Sequence, residues 1–377
     1  METINILLVV LVTTALFGCC LSQAIFDDLM ENYDKLQSPH KDRSTNVQIG
    51  IYINSFYAIN EQTMDYTLNL YLRRSWVDPR LKFTPRDGKD MIKLPHSALE
   101  KIWTPDTFFR NEKSGKWHDI TVPNVLLRLY SDGKIWYAVK LTVTLSCAMR
   151  LQKFPFDTQT CPVLIESFGH TMDTYQMVWM DKPVSKDESL QFPQFSLVRI
   201  DHLDCSQNYT TGAYPCLQIN FQLRRDYGYY ILQVFIPSIM LVILSWFAFW
   251  LKPDGVTARV LIGLFTVLTM TTQSTGVRTA LPKVSYIKAI DLWMMMCLLF
   301  VFFAMIESAL VAFLSTVKSQ SDSGNDIQLS ELKDGKQEQQ SDDSRQRLKI
   351  AKKIDFFSRI LFPVLFLLFV IIYFAVY

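Results

Sequence analysis

The chain of 377 residues lacks the marks of an enzyme. It has no HExxH pair, no glycine-rich phosphate loop, no CxxC and no nucleophile elbow, so the common hydrolytic, nucleotide-dependent and redox chemistries find no motif to rest on. It also lacks a charge excess. Thirty-eight Lys and Arg against 36 Asp and Glu leave a net charge of +2, which makes no field for nucleic acid or an acidic partner. Charge is missing locally as well: Tyr229–Leu251 carries none. No basic residue precedes the apolar stretch Ile4–Phe17, only Glu2. What is present is apolar: 49% of residues are hydrophobic and 13% aromatic. Nearly all the long apolar runs fall within residues 229–377, whereas 24–226 is an ordinary polar and apolar mixture, so the shift near Arg225 marks a domain boundary.

The stretch Ile4–Phe17, followed by Cys19, Cys20 and Ser22, reads as a signal peptide over residues 1–22, cleaved near Ser22. The missing basic residue leaves a membrane anchor as the rival. Either way the next segment enters an oxidising compartment. Four cysteines precede the membrane runs: Cys147, Cys161, Cys205 and Cys216. They allow three pairings, of which the two close-spaced pairs are the simplest because each closes a short loop. Such bridges staple secreted domains. Cys297 lies inside an apolar run.

Between Asn46 and Arg225 the pattern alternates. Tyr66, Leu68, Leu70 and Leu72 share one strand face, and Tyr137, Val139, Leu141, Val143 and Leu145 repeat the pattern. Turns such as Ser131-Asp132-Gly133 separate the runs. The expected fold is a β + α membrane protein: an extracellular immunoglobulin-like β-sandwich over 23–226, then a four-helix transmembrane bundle over 227–377. The spans are expected near 229–251, 257–279, 289–314 and 356–377; an uncharged run of about 20 residues crosses a ~30 Å hydrocarbon core. Four spans put both termini outside and residues 315–355 in the cytoplasm. Five basic residues in Arg345–Lys353 agree with positive charge on the inner side, and the stretch suits an amphipathic helix at the inner exit. Arg278, Lys283 and Lys288 break that rule in the outer linker and ask for a functional reason.

The second span is too polar for lipid contact and too apolar for a loop. Taken as a helix, it puts Leu261, Phe265, Leu268, Thr272, Thr275 and Thr279 on one stripe that turns from apolar to hydroxylated towards the outside. A packing stripe does not explain that gradient; a water-filled pore built from several copies does. Rings of Phe265 and Leu268 make a constriction that gates by dewetting. The inner mouth reads Asp254-Gly255-Val256-Thr257-Ala258-Arg259, and Ala258 and Arg259 join the pore residues there. Asp254 stands about a turn away. Arg278 ends the stripe, and a basic ring favours anions, chloride being the abundant one.

These residues bring the chain close to a known family. Cys147-Ala-Met-Arg-Leu-Gln-Lys-Phe-Pro-Phe-Asp-Thr-Gln-Thr-Cys161 resembles the signature loop of Cys-loop receptors, in spacing and in Phe154-Pro155-Phe156-Asp157. Trp103-Thr104-Pro105-Asp106 is similar to the family's first principal-face loop. Leu268–Gly276 and Leu281–Asp291 resemble the anion-selective branch, and a Cys205–Cys216 bridge is similar to that of glycine receptors and invertebrate glutamate-gated chloride channels. The resemblance runs from about residue 25 to the end, apart from the cytoplasmic loop.

It implies a homo- or hetero-pentamer in the plasma membrane, with a small-molecule agonist held between neighbouring extracellular domains and no cofactor. Phe108, Glu166, Phe168, Tyr209, Thr211 and Tyr214 would form the principal face, and Tyr71 and Arg73 the complementary one. Aromatic faces attract an ammonium and Arg73 can fork onto a carboxylate, so the box suits a zwitterionic amino acid. Coupling would run from Phe154–Asp157 to Lys283–Tyr286, with Arg225 bonding there too, and Pro155 is a candidate cis proline.

The pattern also departs from the family. Ala138 stands where a serine is expected, Asn54 where glutamate-gated members have a second arginine, and His170 where relatives have tyrosine. Thr257 replaces a proline and Phe265 a pore threonine. Met295 occupies a glycine or alanine position, which implies weak sensitivity to macrocyclic lactones. These departures keep two alternatives: a pH-gated chloride channel sensing through His170 or His118, and a partner subunit that is silent as a homomer. Asn208-Tyr209-Thr210 is the only N-glycosylation sequon, and it lies in the segment expected to cap the agonist.

Overall fold

A computed structural model describes residues 25–85, 90–190, 192, 194–253, 255–316 and 334–377. The expected signal segment, Asp254 and residues 317–333 of the expected cytoplasmic loop lie outside them. The chain divides into two compact units. One takes the residues up to Met149 together with Thr158–Arg224; the other takes Arg150–Asp157 together with Arg225–Tyr377.

The first unit is built of strands. A seven-stranded sheet contains β1 (Thr45–Asn60), β2 (Asp65–Val77), β3 (Met91–Leu94), β5 (Glu112–Trp117), β6 (Val125–Tyr130), β7 (Lys134–Ser146) and β9 (Tyr175–Lys186). Its order is β3-β6-β7-β2-β1-β9, with β5 also paired to β7. A four-stranded sheet contains β4 (Thr107–Phe109), β8 (Thr158–Ser167), β10 (Phe195–Asp204) and β13 (Cys216–Arg225), in the order β10-β13-β8-β4. Between β10 and β13 the small hairpin of β11 (Gln207–Tyr209) and β12 (Gly212–Tyr214) stands by itself.

The alternating pattern dictates this arrangement. Tyr66, Leu68, Leu70 and Leu72 of β2 are buried, as are Ile135, Tyr137, Val139, Leu141, Val143 and Leu145 of β7. They belong to the core with Val163 and Ile165 of β8 and Ile219, Phe221 and Leu223 of β13. Each such side chain is worth ~1.5–3 kcal/mol of burial, which overrides local preference and sets the register. The turn at Ser131–Gly133 needs its glycine. Gly133 has φ +84°, and a Cβ there would lie 2.4 Å from the Asp78 carbonyl oxygen. Of the three possible cysteine pairings the close-spaced one is formed: Cys147–Cys161 and Cys205–Cys216.

Among the described residues the second unit holds four helices long and apolar enough to cross a membrane: α1 (Gly228–Trp250), α2 (Val256–Thr279), α3 (Ala289–Thr316) and α4 (Asp334–Val376), whose apolar part spans Gln346–Val376. A π-helical turn at Ile231–Phe235 precedes Pro237, which has no N–H to give the helical ladder. The basic stretch before the last span is continuous with it in α4.

In α2 the residues facing the rest of the unit are Arg259, Gly263, Thr266, Met270 and Ser274. Gly263 permits close approach, since a Cβ there would sit 2.7 Å from Met305 Cγ of α3. Arg259 requires a correction to the expected pore set. Its side chain is fully buried and forks onto Asp355 of α4, at 2.9 and 2.7 Å. A guanidinium in this apolar setting is stable only with a carboxylate to neutralise it, so Arg259 turns into the bundle.

Candidate functional site

The residues expected on the principal face gather at one end of the four-stranded sheet. Phe108 of β4 stands opposite Glu166 of β8, and Cys216 at the start of β13 stands opposite Glu166 on its other side. The Phe108 and Phe168 rings meet edge to face with centroids 5.5 Å apart. Phe168 is 77% exposed, which no packing role explains. Glu166 is buried, and Arg110 Nη1 donates to its carboxylate at 3.0 Å.

The disulfide Cys205–Cys216 closes the base of the hairpin. On it the Tyr209 and Tyr214 rings lie 5.7 Å apart, and the Tyr214 hydroxyl donates to Thr211 Oγ1 at 3.1 Å. The Met172 N–H donates to the Ala213 carbonyl at 2.8 Å, docking the hairpin on the segment after β8.

Asp106 organises that segment. Its carboxylate takes the Gly169 N–H at 2.6 Å and the Tyr175 hydroxyl at 3.1 Å, and lies 2.9 Å from Ser167 Oγ. Burial, with this carboxylate adding to it, raises the Tyr175 pKa above the ordinary tyrosine value, so the hydroxyl stays a donor. Beneath lies Arg74. It is buried, donates to the Pro105 carbonyl at 3.0 Å and to Thr107 Oγ1 at 2.8 Å, and stacks over Tyr137 at 4.3 Å. Burial lowers its pKa, though an arginine keeps its charge through such shifts.

Tyr71 and Arg73 lie on the other sheet, on one face of β2. The Tyr71 ring is 6.1 Å from Tyr52 and has Lys140 Nζ 5.9 Å from its centroid. Arg73 stands opposite Ala138 of β7. Its Nη2 donates to the Ile51 and Lys182 carbonyls at 3.0 and 3.2 Å, which fixes the fork, while Nε has no partner among the described residues. Burial also lowers the Arg73 pKa. Sequence reasoning missed Arg110 and Lys140, and had Asp106 only as the end of the Trp103–Asp106 motif; the contacts of all three are set by tertiary neighbours, which no spacing announces.

His118 and His170 differ. His170 packs against Trp103 and Tyr175, its ring 6.1 and 5.9 Å from theirs. His118 belongs to a hydrogen-bond chain across the sheet. Asn54 Nδ2 donates to Asn69 Oδ1 at 2.8 Å, and Asn69 Nδ2 donates to Thr142 Oγ1 at 3.0 Å. That same nitrogen faces His118 Nε2 at 3.2 Å, and Nε2 is also 2.7 Å from Thr142 Oγ1. Only an unprotonated Nε2 can accept from the amide.

In the helical unit, the segment Arg150–Asp157 forms a second cluster. Arg225 Nε and Nη2 fork onto Asp157 at 2.8 and 3.2 Å, both side chains buried, with the guanidinium 4.5 Å from the Phe154 ring centroid. Phe154 meets Tyr230, and Phe156 meets Tyr227 and Phe235. The Phe154–Pro155 peptide is cis. The segment is also bonded to the linker before α3. The Tyr286 hydroxyl accepts from the Leu151 N–H at 3.1 Å, and the Ala289 N–H donates to the Gln152 carbonyl at 2.8 Å. Lys283, expected among these contacts, is exposed and bonds to none of this segment among the described residues.

Along α2, Ala258, Leu261, Phe265, Leu268, Thr272, Thr275 and Thr279 are all exposed, on the side away from the buried row. The hydroxyls of Thr272 and Thr275 donate to the carbonyls one turn back, at 2.9 Å each, so what they present outward is oxygen lone pairs and methyl groups. Arg278 follows, its side chain 59% exposed and 4.0 Å from Asp291.

Residues 22–227 match the family model described as neurotransmitter-gated ion-channel ligand binding domain. Residues 234–333 match the one described as neurotransmitter-gated ion-channel transmembrane region.

Proposed function

The chain belongs to the neurotransmitter-gated ion-channel family, and from that premise we propose that it is a subunit of a chloride channel of the plasma membrane, opened by a small amino acid or amine. Members of this family bind small-molecule agonists and form pentamers, and they are channels rather than enzymes. The observation that carries chloride selectivity is the exposed stripe of α2, which contains no acidic residue and ends in the exposed Arg278. Five copies of α2 around a water column would place five guanidinium groups at one mouth, and such a ring favours anions. The threonine hydroxyls spend their protons on the helix, so selectivity rests on Arg278. An open apolar cavity of about 800 Å³, between Pro237–Phe247 of α1 and Thr269–Gln273 of α2, suits burial against a neighbouring subunit.

The agonist reading rests on chemistry divided between two faces. Tyr209, Tyr214 and Phe168 offer aromatic faces to an ammonium, at ~0.5–2 kcal/mol each. Arg73 of the neighbouring copy offers its Nη1 to a carboxylate, the guanidinium being already oriented by two backbone carbonyls. Neither face is a complete site. Phe108 and Thr211 shape the same edge, and Glu166, neutralised by Arg110, lies behind it. Opening would pass through Phe154–Asp157, Arg225 and Tyr286 to the linker between α2 and α3.

The test is expression of the chain alone in oocytes with an amino-acid and amine panel. Current whose reversal potential follows chloride supports the proposal; current that follows sodium overturns it. Silence of the homomer with every agonist points to a partner subunit.

The His118 network favours a second reading, modulation or gating by protons. A proton on Nε2 would set two donors, the ring N–H and the Asn69 amide, against each other, and Asn69 could turn only by breaking its bond to Asn54. A proton there would therefore loosen His118, just after β5, from Asn69 of β2. A pH ramp on wild type and His118→Gln separates this reading: proton sensitivity that survives the substitution rules out His118 as the sensor.

A further inference from the structure

The β11–β12 hairpin has two faces, and the register assigns each residue to one. Directly opposed residues of an antiparallel pair point the same way, and neighbours along a strand point opposite ways. Tyr209 pairs with Gly212, Asn208 with Ala213 and Gln207 with Tyr214. Tyr209 and Tyr214 therefore share a face, in keeping with their 5.7 Å ring contact. Gly212, at φ +138°, lies against the body of the unit, where a Cβ would be 2.7 Å from Thr171 Cγ2, while Tyr209 stays 46% exposed. Asn208 and Ala213 point the other way. Asn208 and Thr210 are both exposed, and Asn208-Tyr209-Thr210 is an acceptor sequence for N-linked sugar.

We propose that Asn208 carries an N-linked glycan that projects from the outer face of the hairpin and leaves the Tyr209–Tyr214 face open to agonist. This rests on the reading above, in which the β unit is extracellular and the hairpin caps the site. In the transfer, the Asn208 side-chain nitrogen attacks the anomeric carbon of an oligosaccharide carried on a lipid diphosphate. The new C–N bond forms as the anomeric C–O bond breaks, the amide gives up one proton, and the lipid diphosphate leaves; nothing is oxidised or reduced. One residue of offset decides the outcome. A sugar on residue 209 would occupy the aromatic face, whereas on residue 208 the strand pleat turns it away.

The test uses the full chain expressed in a eukaryotic cell. Peptide:N-glycosidase F should increase the gel mobility of wild type in a single step, and the step should vanish in Asn208→Gln and in Thr210→Ala. Asn208→Gln should leave the agonist EC50 within about threefold of wild type. The double variant Asn208→Gln/Tyr209→Asn moves the sequon by one position, with Thr211 completing it. It should regain the mobility step but assemble poorly on native gels and respond poorly to agonist, compared with Asn208→Gln/Tyr209→Gln. No mobility step in wild type, or a step that persists in both single variants, overturns the acceptor assignment. A more than tenfold fall in EC50 for Asn208→Gln, or normal assembly of the glycosylated 209 variant, overturns the outward orientation. The mobility and assembly readouts need no agonist, so they stand even where the channel reading fails.

Discussion

At the scale of single residues, a few charged side chains carry more than their number suggests, because each is held in a fixed place. Arg73 is the clearest. Two backbone carbonyls hold its Nη2, and Nε is buried, so Nη1 is the nitrogen left for a ligand. Lysine would keep the charge and lose the planar group that the two carbonyls hold in place. Arg73→Lys is expected to raise the agonist EC50 by more than about tenfold, or ~1.4 kcal/mol, with little change in surface expression. Concentration–response curves with surface biotinylation check this. Asp157 is a different case. It neutralises Arg225, and both are buried. Asp157→Asn leaves a buried cation without its carboxylate, at a cost of about 3–5 kcal/mol. Surface receptor is expected to fall sharply and to recover in part in Asp157→Asn/Arg225→Gln, because the second change removes the stranded charge.

At the scale of elements, α2 shows how one helix serves two environments. Its buried row, Arg259, Gly263, Thr266, Met270 and Ser274, packs into the helical unit, and the row with Leu261, Phe265, Leu268 and Thr272 does not. If the second row lines water, cysteines at 261, 265, 268 and 272 should react with aqueous thiol reagents, in part only when agonist is present. Cysteines at Met270 and Ser274 should be protected. The native Cys297 is buried in α3, so it contributes little background. Equal reactivity of the two rows would mean that α2 does not face a pore in this way. The β11–β12 hairpin obeys a similar division with a period of two instead of 3.6, which is why Asn208 and Tyr209 have opposite surroundings.

At the scale of the whole molecule, the decisive property is which ion crosses. The chain is close to neutral at +2, so selectivity has to come from local placement of charge. Arg278→Glu should shift the reversal potential away from chloride and lower the current, while the agonist EC50 moves little, since Arg278 is in the helical unit and the agonist residues are in the β unit. Chloride and sodium substitution experiments on wild type and this variant measure it. A variant with unchanged selectivity would move the anion filter elsewhere along α2.

Much of this was legible in one dimension. Period-two burial in β2 and β7, the four apolar spans, the exposed stripe of α2 and the two close-spaced disulfides all follow from patterns that repeat over short distances, and solvent enforces such patterns residue by residue. Arg259 was not legible: on the sequence it sits at the end of a pore helix, and only the approach of Asp355, 96 residues away, turns it inward. The same holds for Arg110 beneath Glu166, for Asp106 gathering Ser167, Gly169 and Tyr175, and for the assignment of residues 150–157 to the helical unit. Periodicity tells a side chain whether it meets water or protein. It does not tell a charged group which distant partner will neutralise it, because that choice depends on which segments the folded chain brings within about 3 Å of each other.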